Sequence, residues 1–332
     1  MSTEAQEDPQ SQSLSLNFNE PIYAVGFSKD ESAIRLAVSS VNYGNVDNQL
    51  YLIESPKVNH KLGVKKTIPI RYPVTKIKWH PESHTGRNQL FATTSDILRI
   101  YSAPSDGNAE LHCELKPTGN TDMNAPYTSF DWCNSDPRFI CCSSIANTCS
   151  LWDWGTQTLL KQVIAHDKEV LDVSFAKNEQ VFVTVSADFT LRRFDIRALN
   201  TCELLYEAKE PLLRVAYNKT SNMIAVTTLN QNNVLIIDPK KPQNPVYVLE
   251  YHKDQVNAID WSPTTHNMIC SVSEDKHALL WSFNSSDSMN KVSPLLEYTN
   301  SLNMLNISWC EAHPDWIGIV MDNSFNVIKT TI

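Results

Sequence analysis

Glycine is scarce in this chain. Eight glycines occur in 332 residues, where a usual share of roughly 7% would give about 23. Phosphate-cradling and dinucleotide-binding loops need glycine where the backbone closes on the ligand, and no P-loop, GxGxxG or GxSxG pattern occurs. Long apolar runs are also missing. The longest, Trp316–Met321, falls far short of the ~20 residues of a membrane helix. Positive charge is in deficit: 28 Lys and Arg against 37 Asp and Glu give a net charge of -9 and a pI of about 5.5. That balance argues against direct nucleic-acid or anionic-membrane partners. The eight cysteines form no CxxC pair, and Cys141, Cys142, Cys149 and Cys270 sit inside apolar strand-like runs, where free cysteine behaves as a small hydrophobe. A reducing compartment, cytoplasm or nucleus, is the expectation. Nine histidines include no HExxH; His80 and His84 are four apart, but in a loop containing Pro, Ser and Gly. Neither a metal site nor a cofactor is expected. The first residues, MSTEAQEDPQSQ, are polar and acidic with no apolar centre, so 1–12 reads as a disordered tail rather than a secretory signal.

What the chain does have is a repeat. Phe27, Trp79, Trp132, Phe175, Tyr217, Trp261 and Trp309 recur at gaps of 52, 53, 43, 42, 44 and 48 residues. About 20 residues after most of them comes a second anchor, at Tyr101, Trp152, Phe194, Ile237 and Trp281. Between the anchors lie short alternating or β-branched runs separated by turns, which read as strands. A period of ~40–45 residues with four short strands and a Trp-Asp signature marks a propeller blade. The expected fold is all-β: a seven-bladed WD-repeat β-propeller over residues 13–332. The seventh unit ends after three strands, and an open sheet edge is an aggregation hazard. Ser13–Phe18 alternates as a strand should, so it is expected to supply the missing outer strand and close the fold.

The fourth and sixth units match most closely. In each, a histidine (His166, His252) lies nine residues before the register aromatic, and an aspartate (Asp188, Asp275) lies six before the second anchor. His252, Ser273, Asp275 and Trp281 have the makings of a Ser-His-Asp nucleophile site. On a blade they read instead as a hydrogen-bond chain that locks it, because a catalytic serine also needs exposure and an oxyanion site. His166, Ser186 and Asp188 form a partial set, since Phe194 has no indole N–H. Ala146 takes the aspartate's place in the third unit. The lysines at 57, 61, 65 and 66 form a basic island, read as solvated surface with a docking patch as the alternative.

Several stretches carry a narrower likeness: Ala125–Trp132, Ile164–Phe175, Ser186–Arg197, Pro211–Arg214, Asp275–Trp281 and His313–Ile317. They resemble the An11 / transparent-testa-glabra group of WD-repeat proteins, whose animal members are cullin-ligase-associated WD-repeat factors. The resemblance covers residues 18–330 and is most specific in the third to seventh units. It implies a non-catalytic scaffold. Its animal members look like adaptors for dual-specificity tyrosine-regulated and homeodomain-interacting protein kinases, and its plant members join basic helix-loop-helix and Myb transcription factors. By the same resemblance, Phe194-Asp195-Ile196-Arg197 matches the Trp-Asp-x-Arg box that docks on the adaptor of cullin-4 ligases, with Phe in place of Trp. Asp195 and Arg197 are the candidate docking residues. The chain departs from the animal members at Ala146 and in a shorter Trp154–Ile164 stretch.

Three functions compete. The first is a protein-interaction scaffold, a monomeric subunit of a larger complex, that joins protein kinases or transcription regulators to their partners. Its binding surface is expected on the face carrying the Val41–Asn48, Pro117–Asn124, His166 and His252 loops. The second is a substrate receptor of a cullin-4-type ubiquitin ligase. The third is a propeller enzyme, for which Asp131, Asp172 and Asp260 are the carboxylates on offer.

Overall fold

A computed structural model describes residues 13–42, 44, 47–56, 61–82, 89–104, 108–117, 125–177, 180–283 and 292–330. The acidic tail, His84, Lys57 and the 118–124 segment therefore lie outside the described residues. Among the described residues every regular element is a strand, and the strands form seven four-stranded antiparallel sheets. These are the seven blades of a β-propeller. Six sheets follow chain order. In the seventh, Ser13–Asn17 pairs with Ser324–Lys329, placing Ser13 opposite Ile328 and Leu16 opposite Phe325. The first strand of the chain thus completes the last blade, as the missing fourth strand requires.

The chain divides into two compact units: residues up to 114 with those from 304 onward, and residues 115–303. The first holds blades seven, one and two. Its packing lies between sheets: Ile22, Phe27, Leu36 and Ile53 of blade one meet Val320, Phe325 and Val327 of blade seven, with Leu14 and Leu16 of the first strand packed alongside. Leu50 and Leu52 meet Trp79, Phe91 and Tyr101 of blade two. Two of the few glycines lie where a neighbouring blade leaves no room for a side chain. A Cβ on Gly26 would sit 2.7 Å from the Ile77 carbonyl oxygen, and one on Gly318 would sit 2.7 Å from the Phe27 ring. The Trp79 indole donates to the Gly26 carbonyl at 2.8 Å, tying blade two to blade one.

The second unit holds blades three to six. Blade three comprises Tyr127–Trp132, Phe139–Ser144, Thr148–Asp153 and Thr158–Ile164; blade four comprises Val170–Phe175, Val181–Ser186, Thr190–Asp195 and Cys202–Glu207. Blade five comprises Leu212–Tyr217, Ile224–Thr228, Asn233–Ile237 and Tyr247–Glu250; blade six comprises Val256–Trp261, Met268–Ser273, His277–Ser282 and Pro294–Thr299. Second strands such as Met268–Ser273 are buried along their whole length, because both faces of the sheet are covered. Fourth strands are half exposed, which explains their weak sequence pattern. In all four blades the first strand carries a bulge near its start, at Tyr127/Ser129, Val170/Asp172, Leu212/Arg214 and Val256/Ala258. A bulge sharpens the local twist and re-aims the side chains beside it.

Turns show the cost of so few glycines. Asn147, Phe189 and Lys276 occupy equivalent positions between second and third strands with φ of 63°, 72° and 71°. That left-handed region suits glycine or asparagine and disfavours a bulky side chain.

Candidate functional site

The turn of blade six is built by its own side chains. The Ser273 hydroxyl accepts the Asp275 amide at 3.1 Å and donates to the Asp254 carbonyl at 3.0 Å. Asp275 Oδ1 accepts the His277 amide at 3.0 Å, a side-chain turn of the kind aspartate favours. This leaves Asp275 Oδ2 to accept the Lys253 amide at 2.8 Å and to meet His252 Nδ1 at 2.9 Å. At the far side of the imidazole, His252 Nε2 lies 2.8 Å from the Ser271 hydroxyl, and Ser271 Oγ accepts the Trp281 indole N–H at 2.8 Å. Donor and acceptor arithmetic assigns the tautomer. Nδ1–H donates to the carboxylate, and neutral Nε2 accepts the serine proton. Every polar atom in the series has a partner.

The serine between His252 and Trp281 is thus Ser271, not Ser273 as the sequence suggested. Both point to the same face of one strand, two residues apart. Ser273 sits at the turn and closes it, while Ser271 lies one pair deeper. Histidine, aspartate and serine stand in the order of a hydrolytic triad, yet Ser271 and Trp281 are fully buried and the serine oxygen is occupied by the indole. Burial pushes the Asp275 carboxyl upward, but the hydrogen bonds from His252 and from the Lys253 and His277 amides outweigh it and hold the group at about 2. The arrangement locks a turn; it presents no nucleophile.

Blade four varies the theme. His166 Nδ1 lies 3.0 Å from both Asp188 Oδ2 and Thr190 Oγ1, and Nε2 accepts the Thr184 hydroxyl at 2.8 Å. Thr184 stands where blade six has Ser271. Ser186 accepts the Asp188 amide at 3.1 Å and donates to the Lys168 carbonyl at 3.3 Å, the turn role of Ser273. Phe194 offers no donor and stacks on Phe182 at 5.2 Å. Arg192, unremarked in the sequence, adds a charge: its Nη2 reaches Asp188 at 3.2 Å and Asp167 at 3.0 Å, and its Nη1 donates to the Ala165 carbonyl at 3.0 Å. Burial pushes the His166 imidazole down to about 4 against the opposing pull of Asp188. Burial raises Asp188 less than its hydrogen bonds from Thr190, the Asp167 amide and His166 lower it, and it rests at about 2. Blade three keeps only the turn: the Ser144 hydroxyl accepts the Ala146 amide at 3.1 Å, and the Trp152 indole donates to the Tyr127 hydroxyl at 3.3 Å.

Asp131 and Asp172, two of the carboxylates open to an enzymatic reading, tie blades together. Asp131 Oδ2 of blade three accepts the Phe175 amide of blade four at 2.8 Å. Asp172 of blade four accepts the Ser129 hydroxyl of blade three at 2.6 Å and the Val215 amide of blade five at 3.1 Å. A carboxylate that satisfies backbone donors of the next sheet performs the role of the Trp261 indole, which donates to the Ala216 carbonyl of blade five at 2.9 Å. Asp260 stands half-buried on blade six. His80 accepts the Glu82 amide through Nδ1 at 3.2 Å. Among the described residues no three His, Cys, Asp or Glu side chains gather as a metal site. Lys61 and Lys65 are exposed and Lys66 is half-buried at the fourth strand of blade one.

Asp195 and Arg197 occupy the opposite end of blade four from its histidine. Arg197 clasps its neighbour in bidentate fashion, Nε to Oδ1 at 2.9 Å and Nη2 to Oδ2 at 2.5 Å, with its side chain 70% exposed. Arg197 holds the Asp195 carboxyl at about 2. Blade three repeats this clasp: Arg138 binds Asp136 through Nε at 3.0 Å and Nη2 at 2.8 Å, with its side chain 64% exposed. The Arg138 guanidinium likewise lowers Asp136. Trp154 braces that turn by donating its indole to the Pro137 carbonyl at 2.9 Å. Between the two clasps lies a cavity of about 350 Å³ with an apolar floor of Phe139, Leu151, Leu160, Ile196 and Leu199. The second clasp was legible as Asp-Pro-Arg, but nothing in the repeat marks it.

Comparison with known proteins agrees with this geometry. The WD domain, G-beta repeat family matches residues 157–195 and 243–282. Those two segments are the stretches that end in the His166–Asp188 and His252–Asp275 blades. A Dictyostelium discoideum protein described as a DDB1- and CUL4-associated factor 7 homolog is 34% identical, over 94% of this chain and 97% of its own. An uncharacterised WD repeat-containing protein of Schizosaccharomyces pombe is 35% identical over 74% of this chain and 63% of its own. A WD repeat-containing protein of Saccharomyces cerevisiae is 33% identical over 65% of this chain and 48% of its own.

Proposed function

Because the chain belongs to the WD-repeat family of DDB1- and CUL4-associated factor 7, the An11 group, we propose that it is a non-catalytic adaptor that holds protein partners together. One observation carries this reading. In blades three to six, His166, His252, Asp188, Asp275, Asp131 and Asp172 each close a hydrogen bond within or between blades, so the polar groups that could do chemistry hold the scaffold together. The surface is left for recognition, which loops on a rigid frame supply at little cost to the fold. The partners we propose are protein kinases of the dual-specificity tyrosine-regulated type or transcription regulators. The workplace we propose is the cytoplasm and nucleus, in keeping with eight free cysteines, seven of them buried. Affinity purification of the full chain from its native cell is expected to recover a kinase or a transcription regulator. Recovery of general chaperones alone would sink the reading.

A second reading is favoured by one observation, the exposed Asp195–Arg197 clasp. The Dictyostelium relative is named for association with DDB1 and cullin-4, and the clasp is the candidate docking point for such a ligase adaptor here. Changing Asp195 and Arg197 together to alanine is expected to abolish capture of the adaptor at an unchanged melting temperature. A fall in melting temperature instead would make the pair structural.

A further inference from the structure

The cleft between blades three and four lies wholly within the second compact unit. Its two rims are the Asp136–Arg138 and Asp195–Arg197 clasps, and its walls come from the fourth strand of blade three and the turns of blade four. The floor is apolar and partly open: Leu199 and Leu151 are buried, whereas Leu160 is 49% exposed. A leucine held half in water on a rigid strand is poor surface by itself, and beside an open apolar cavity it becomes the start of a contact.

The chemistry of the rim decides what fits. Asp136 uses both oxygens on Arg138: Oδ1 accepts the amide and Nε, and Oδ2 accepts Nη2. Asp195 does the same for Arg197. Both carboxylates are therefore satisfied by their own arginines, and their outward acceptor strength is low. Arg138 retains its Nη1 donors. Lys161, whose ammonium donates to Asn200 Oδ1 at 2.5 Å, adds a third cation to the rim. Arg138, Arg197 and Lys161 against Asp136 and Asp195 leave the rim one positive charge in excess, and the donors of Arg138 Nη1 and the Lys161 ammonium stand beside a greasy hole. The complementary surface is acceptors around a greasy side chain.

We infer that this groove is a peptide-docking site whose occupant is a short protein segment bearing one bulky aliphatic or aromatic residue flanked by Asp or Glu. The apolar residue fills the cavity against Leu160 and Ile196, and the flanking carboxylates meet Arg138 and Lys161. Buried apolar anchors ringed by charge-assisted hydrogen bonds concentrate binding energy in few residues, so a short segment suffices. The inference goes beyond the adaptor reading by naming a face and a chemistry. Its failure would leave that reading standing, because affinity capture by the full chain samples every surface.

The test is selection of random dodecapeptides displayed on phage against the full chain, followed by affinity measurement of the enriched peptides. The expected result is a consensus with a Leu, Ile, Met or Phe beside at least one pair of carboxylates. Those peptides should lose about tenfold or more in affinity against Arg138→Glu and against Leu160→Ser, at unchanged melting temperature. Leu160→Ser alters an exposed side chain on a paired strand, so it tests the groove even where the charge reversal disturbs the turn. No enrichment, a basic or purely polar consensus, or peptides indifferent to both variants would overturn the inference.

Discussion

Blades four and six keep the same histidine and aspartate and differ in what stands around them. In blade six the hydrogen-bond series runs inward and ends on an indole, with Ser271 between His252 and Trp281. In blade four it stops at the Thr184 hydroxyl, because Phe194 has nothing to donate, and the missing link is offset at the outer end by Arg192. The aspartate is the fixed member because it does two jobs. It shapes the turn through backbone amides, and it orients the imidazole. The inward partner can be polar or apolar as long as no donor is orphaned there. A lock can thus be anchored either by a buried indole or by a half-exposed guanidinium.

Removing the fixed member tests the comparison most severely. Asp188→Ala strands donors from His166, Thr190, the Asp167 amide and Arg192, and is expected to lower unfolding free energy by about 4 kcal/mol. Asp275→Ala strands fewer donors, from His252 and the Lys253 and His277 amides, and about 3 kcal/mol is expected. Urea denaturation of the full chain reads both. Equal losses would mean that Arg192 adds nothing.

Acid tests the blade-four lock next. His166 titrates near 4 in the folded chain and near 6.5 when unfolded, so between those values the unfolded chain binds more protons. Stability is whole above pH 6.5 and falls as the pH drops towards 4, by on the order of 3 kcal/mol. Asp188 and Asp275, both held near 2, contribute a further loss only as the pH falls below the ordinary carboxylate value of 3.8. His166→Gln is expected to remove most of the slope between pH 6.5 and 4 in a denaturation series. An unchanged slope would show that the blade-four imidazole is not held neutral.

The gentlest test converts one lock into the other. Trp281→Phe leaves Ser271 and His252 bonded and deletes only the indole N–H and some packing, so about 1–2 kcal/mol is expected by the same denaturation. A loss as large as that of Asp275→Ala would make the indole, not the carboxylate, the fixed member.

The sequence revealed the blades through residues with no alternative environment. A Trp, Phe or Tyr at every first strand must be buried, and a histidine and an aspartate at two constant offsets must meet if the strands pair. Ser271 escaped because strand alternation places it and Ser273 on one face, and depth along a strand leaves no mark in polarity. Counting back ten residues from the second anchor would have found it, since Ser271 precedes Trp281 and Thr184 precedes Phe194 by the same interval. Arg192 escaped for another reason: in a strand an arginine normally reads as a solvated face, and its reach to Asp167 depends on the loop's return. Asp131 and Asp172 bond to amides 44 and 43 residues away, a separation at which only the stacking of blades, and no local pattern, sets the partner.

The pairing of Ser13–Asn17 with Ser324–Ile328 also has a meaning in time. Ser13–Asn17 waits for Ser324–Lys329, more than 300 residues later, to be made, an interval on the order of tens of seconds at ordinary synthesis rates. Until then Leu14 and Leu16 lack the partner strand that carries Phe325 and Val327, and blade seven does not exist. Blade seven is completed only once Ser324–Lys329 has been made and can meet Ser13–Asn17. A chain halted before Ser324 leaves Ser13–Asn17 without its partner and the outer edge of Trp316–Met321 open, and such an edge invites a chaperone.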